Sequence, residues 1–160
     1  MIKEFFLVFL LSASPVVELR GAIPLGVLVL HINPALVFLL SILGNFLIVP
    51  FILIFLKYFS DFLMHKYYFF NKFLNYIFSK TRDHYAHKFE RWEHWALLIL
   101  VAIPLPFTGA WTGALAAFLF DISFKKSLLI IFLGIVIAGF IVSALTMAGN
   151  GAFNGFWAIK

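Results

Sequence analysis

Apolar residues run almost unbroken along this chain, and the informative positions are those where the run stops. Ile2 to Ser12 is apolar and Ala22 to Ile32 is apolar again; between them lie Pro15, Glu18, Arg20 and Gly21, with Pro24 and Gly26 just beyond. A helix of about eleven residues rises about 16 Å, roughly half the thickness of a hydrocarbon core. Neither arm is long enough to cross. Residues 1–32 are therefore predicted to form a re-entrant hairpin that enters and leaves on one side. Its broken tip must face protein or a polar cavity, because lipid cannot satisfy open backbone.

Asn33-Pro34 is a good helix start, with Asn as N-cap and Pro in the first turn, where a missing N–H is no loss. Residues 34–56 carry no charge and are long enough to span, so 33–56 is predicted as a transmembrane helix. Pro50 cannot donate to the carbonyl of Phe46, which predicts a kink near Gly44 and Asn45. Residues 57–93 turn charged and aromatic and read as a cytoplasmic amphipathic linker, an interfacial helix followed by a short wetter one. Residues 94–120 then repeat the opening theme: an arm from Trp95 to Ile103, a tip running from Pro104 to Gly113, and a second short arm from Ala114 to Phe120. Residues 121–148 are predicted to span, with Ser123 as a candidate cap, and 149–160 form a tail of open structure.

Composition settles the class. At 64% hydrophobic and 12% charged, with 22 phenylalanines in 160 residues, the chain exceeds the apolar share of a soluble domain, about 45–50%. It reads as an all-α integral membrane protein of one domain, 1–160. The start resembles a signal peptide, but Pro15 and Glu18 follow without a clear cleavage site, so it is read as mature structure. With no cysteine there is no disulfide and no thiolate metal site. Nine of the twelve Lys and Arg fall between Lys57 and Lys126, which places that face in the cytoplasm by the positive-inside rule, in a cell (inner) membrane. These basic residues are scattered among aromatic and acidic ones, so no nucleic-acid partner is expected. Following the sides, the first hairpin enters from outside and the second from inside. The halves are thus inverted repeats, as in transporters whose sites lie where broken helices meet.

The tips Pro15-Val-Val-Glu18-Leu-Arg20-Gly21-Ala-Ile-Pro24-Leu-Gly26 and Ile103-Pro104-Leu-Pro106-Phe-Thr108-Gly109-Ala-Trp111-Thr112-Gly113 resemble the paired motifs of the putative small multidrug export protein family. That family is similar, more distantly, to the DedA or VTT (SNARE-associated) superfamily of lipid-handling membrane proteins. The resemblance implies two hairpins meeting tip to tip, dependence on the proton-motive force, and in some members flipping of undecaprenyl phosphate or scrambling of phospholipids. DedA members carry arginines around the second proline, where this tip has Ala102 and Phe107 and no cation.

An ionised side chain near the bilayer midplane costs at least about 2.5–3.5 kcal/mol, so Glu18 and Arg20 are the first candidates for function. Glu18 is read as a proton acceptor, since burial disfavours a charged carboxylate, with Arg20 opposing this or binding an anionic group. The competing reading is a structural ion pair that pins the hairpin. Thr108, Trp111 and Thr112 would offer hydroxyl and indole donors to the first tip; otherwise they satisfy local carbonyls and fill space. Asn45 is either a cavity residue or an interhelical hydrogen-bond partner. Pro15, Gly21, Pro24, Pro104, Pro106, Gly109 and Gly113 set the shape of the tips. Gly109, Gly113 and Ala117 form a smooth strip, one surface on which a homo-oligomer could pack.

Asp83, His87, Glu90 and His94 share a helix face but span about 16 Å, too far to hold one ion. No Ser/His/Asp set and no membrane acid pair points to an enzyme, and no cofactor is called for. The expectation is a small secondary transporter, proton-linked, that exports or flips an amphiphilic or polyprenyl-phosphate-like substrate among membrane lipids. A passive lipid scramblase and a membrane scaffold without transport are the alternatives.

Overall fold

The computed structural model of the protein describes residues 2–66, 90–105 and 108–157. The described residues form helices and no strand. Helix α1 is Ile2–Ala13 and α2 is Glu18–Pro24, followed by a π-helical turn, Leu25–Val29. Then come α3 (Pro34–Lys66), α4 (Glu90–Ala102), α5 (Ala110–Leu119) and α6 (Phe124–Trp157). Pro34–Ser60 and Phe124–Gly149, with mean hydropathies of 2.6 and 3.0, are long and apolar enough to cross a membrane.

The helix starts follow the local chemistry. The Ala35 N–H donates to Asn33 Oδ1 at 2.9 Å, the expected cap. At the start of α6 the Ser127 hydroxyl lies 3.1 Å from the Ser123 carbonyl, a bond to the main chain of Ser123 and not a cap by its side chain. Pro24 withholds the N–H that an α-helix would return to the Arg20 carbonyl, and the chain widens into the π turn immediately after it.

Five boundaries differ from the sequence expectation. Helix α4 already starts at Glu90, inside the predicted linker, and α5 at Ala110, inside the predicted second tip. The break in the first hairpin is only Ser14–Val17; Glu18 and Arg20 already belong to α2, with Glu18 in the left-handed region at φ 50°. Helix α3 runs on through Lys57 to Lys66, because no Gly or Pro follows Pro50 to stop it. Helix α6 passes Ala148 and continues to Trp157, absorbing Gly149 and Gly151. Both long helices thus outlast their change in composition, which does not end backbone hydrogen bonding. Residues 67–89 of the predicted linker, with Asp83 and His87, and Pro106 with Phe107 in the second tip, lie outside the described residues.

Packing uses close approach of small residues, as expected where apolar solvent removes the hydrophobic drive between helices. Helix α1 packs on α3 and α4 on α6. A Cβ added at Gly44 would meet the Phe9 carbonyl of α1, and one at Gly134 would meet Val101 and the Leu98 carbonyl of α4. Across the halves, α2 packs on α6 and α5 on α3.

These correspondences keep a fixed spacing of ninety residues. Gly134 lies ninety beyond Gly44, and the α6 start at Phe124 ninety beyond the α3 start at Pro34. Asp121 and His31, both with left-handed φ just before those starts, are also ninety apart. Ala110, Gly113, Ala114 and Ala117 are buried, and a Cβ on Gly113 would strike Val101. The strip expected to serve a second copy is consumed inside the chain.

Candidate functional site at the hairpin tips

The two breaks come together through the residues beside them: Glu18 and Arg20 of α2 reach Trp111 and Thr108, and Trp111 of α5 reaches Ala13 at the end of α1. A helix starts with N–H groups and ends with carbonyls that have no partner within it. Glu18 Oε1 lies 3.5 Å from the Trp111 N–H, and the Ala110 N–H also reaches the carboxylate. A carboxylate is thereby held at the positive end of α5. In the other direction the Trp111 indole N–H donates to the carbonyl of Ala13, the last residue of α1, at 3.1 Å.

Arg20 completes the clasp. Its Nη2 donates to the Thr108 carbonyl and to Thr108 Oγ1, the latter at 2.9 Å. The Thr108 hydroxyl lies 2.8 Å from both the Ile103 and the Leu105 carbonyl and gives its one proton to one of them, so it holds its own loop as well. Arg20 Nη2 is 3.9 Å from Glu18 Oε2, close enough for attraction, but each charge makes its hydrogen bonds to the opposite hairpin. The pair is a two-pronged clamp on the second tip more than a bond within the first.

Glycine at 109 is required twice over. Its φ of 142° is one that side chains rarely adopt, and an added Cβ would fall on the Glu18 carboxylate. At Gly21, inside α2, an added Cβ would collide with the Val17 side chain four residues earlier. Pro15 sits in the first break, Pro24 at the change to the π turn, and Pro104 in the second loop.

Two grooves converge on the clasp. One, of about 550 Å³, lies between α3 and α5 and is walled by Ile48, Phe51, Ile52 and Phe55 with Trp111 and Leu115. Its lining is almost wholly apolar. The other, of about 370 Å³, lies between α2 and α6 and brings Arg20 and Pro24 to Pro104, Val142, Leu145 and Thr146. Val142, Leu145 and Thr146 stand ninety positions beyond Ile52, Phe55 and Leu56, so the grooves occupy matching places in the two halves.

Of the residues singled out in the sequence, Glu18, Arg20, Thr108, Trp111 and Gly109 come together. Thr112 does not reach the first tip: its hydroxyl turns back to the Gly109 carbonyl at 3.3 Å, and the residue lines the apolar groove. Asn45 is fully buried in α3, beside Gly44 and its α1 contact. Sequence reasoning missed the backbone partners, namely the Ala13 and Thr108 carbonyls and the N–H groups opening α5. Every residue has a backbone, so no residue type advertises them; broken helices next to buried charges were the available signal.

No curated protein and no solved structure matches the chain. The family model described as "Putative small multi-drug export protein" matches residues 18–141, which begin at the clamping carboxylate and include Arg20, Thr108, Gly109 and Trp111 and the apolar groove between α3 and α5. By that match, over most of its length, the chain belongs to the small multi-drug export protein family of membrane proteins.

Proposed function

We propose that the protein is a small multi-pass secondary transporter that exports or flips an amphiphilic, anionic or lipid-like molecule, with protonation of Glu18 releasing the clasp between two re-entrant, mutually inverted hairpins. The observation that carries this reading is the Glu18 carboxylate held by N–H groups of the opposite hairpin. Hydrogen bonds to a charged acceptor are roughly twice as strong as neutral ones, so a proton on Glu18 weakens the join at its centre. It also removes the charge facing Arg20. The export role of the family and the two apolar spans support transport over catalysis.

The ninety-residue correspondence supports inversion. With residues 57–93 on the cytoplasmic side of the inner membrane, two matching grooves in inverted halves face opposite sides, and the clasp stands between them. The Arg20 groove offers a cation to an anionic headgroup, and the apolar groove accommodates a hydrocarbon chain. The same clasp also suits a purely structural clip, so transport is the deciding test. Purified protein in liposomes should move a fluorescent polyprenyl phosphate or phospholipid when a pH gradient is imposed. Equal movement without the gradient would make it a passive scramblase, and no movement of any amphiphile would return the clasp to a scaffold.

A further inference from the structure

Ser41 and Asn45 lie one turn apart on α3, and both are 0% exposed. Among the described residues neither the Ser41 hydroxyl nor either polar atom of the Asn45 amide has a hydrogen-bond partner. A buried polar group left unpaired is destabilising, so two of them on successive turns need an explanation. Ser12, Ser127 and Thr146 show the ordinary escape, each bonding back to a carbonyl three or four residues earlier. Ser41 does not take it, and neither do Ser60 and Ser143, but among the described residues Ser41 alone has a second unpaired buried side chain, Asn45, one turn away.

The second half of the chain supplies an internal control. Ninety positions beyond Ser41 and Asn45 stand Ile131 and Ile135, also 0% exposed and packed in the core. The helix geometry at these places therefore accepts isoleucine, and packing alone does not call for polarity. The ligand that would satisfy the pair must both donate and accept, since Asn45 offers a free carbonyl oxygen and a free amide. A cation would leave the amide unpaired, and an anion the carbonyl oxygen. Water satisfies both.

We infer that Ser41 and Asn45 hold internal water beside the hairpin tips, and that this water hydrates the route by which Glu18 exchanges its proton. The second clause rests on the proposed titration of Glu18; the first stands without it. Position supports the link. Gly44, next to Asn45, abuts Phe9 and Ser12 at the end of α1; the neighbouring Ala13 carbonyl takes the Trp111 indole, and the Trp111 N–H reaches Glu18. Among the described residues Arg20 is the charged group that faces Glu18, and it offers no proton.

The chain has no cysteine, so Ser41→Cys and Asn45→Cys each introduce a single thiol. Val37→Cys and Val49→Cys, at equally buried positions of α3, serve as dry references. Silver ion, which travels through water and not lipid, should cap the thiols at 41 and 45 at least about tenfold faster than those at 37 and 49, where reaction waits on local opening. Equal rates at all four positions, or no reaction at any, would overturn the water site. Asn45→Leu should keep the unfolding temperature of the wild type while slowing gradient-driven transport at least about tenfold; unchanged transport would overturn the link to Glu18. If wild type transports nothing, the proposed function fails, while the silver rates still decide the water site.

Discussion

Glu18 and Gly109 sit so close that a single added carbon on Gly109 would take the place of the carboxylate. The residues are far apart in the chain, and their contact is the point at which the hairpins join. Gly109→Ala therefore meets both a collision and a disallowed φ of 142°. The expected cost is about 1–3 kcal/mol of stability, read as a lowered unfolding temperature in detergent. A variant as stable as wild type would mean that the tips do not meet in this way.

Arg20 reaches the carbonyl and the hydroxyl of Thr108 together from one nitrogen, Nη2, at the end of its planar head. Lysine keeps the charge without the fixed planar geometry. Arg20→Lys should lose about 0.5–1.5 kcal/mol of stability, the worth of one hydrogen bond. In a double-mutant cycle Arg20→Lys and Thr108→Val should be non-additive, since they share a bond. Additive effects would place the two side chains in separate environments.

Trp111 joins the tips through its indole as well as its backbone. Trp111→Phe keeps the ring's bulk in the groove and removes the bond to the Ala13 carbonyl. A loss of about 0.5–1.5 kcal/mol is expected, because the carbonyl ending α1 is left without that donor. Thr112→Val should have little effect on the joining of the tips, since its hydroxyl serves only the Gly109 carbonyl.

The apolar groove gives a prediction about substrate. Leu115→Trp adds bulk between α5 and α3, at a wall shared with Phe51 and Phe55. Transport of long-chain amphiphiles should fall more than that of short-chain ones, at unchanged unfolding temperature. An equal loss for both would remove the groove from the transport path.

Much of this fold was legible in the sequence because membranes make length and polarity decisive. Both spans, the short arms and the two broken tips follow from where charge, Pro and Gly interrupt apolar runs. The helix ends were less legible: Lys57 ends the uncharged run, and α3 continues past it. At the site, Glu18 and Arg20 stood out by their cost in an apolar setting. Their partners did not, because Ala13 and Thr108 act through main-chain carbonyls and α5 through its N–H groups. Ser41 raised no signal at all, since a serine in an apolar helix ordinarily bonds to its own backbone.

The central claim is that the charge on Glu18 holds the tips together and that its proton is linked to movement of the substrate. Glu18→Gln tests it most directly, because the amide keeps the shape and cannot gain or lose the proton. Wild type and variant should be compared in liposomes under an imposed pH gradient, with folding verified by unfolding temperature. Gradient-driven transport lost in a folded variant is the predicted result; full gradient-driven transport by Glu18→Gln would contradict the account.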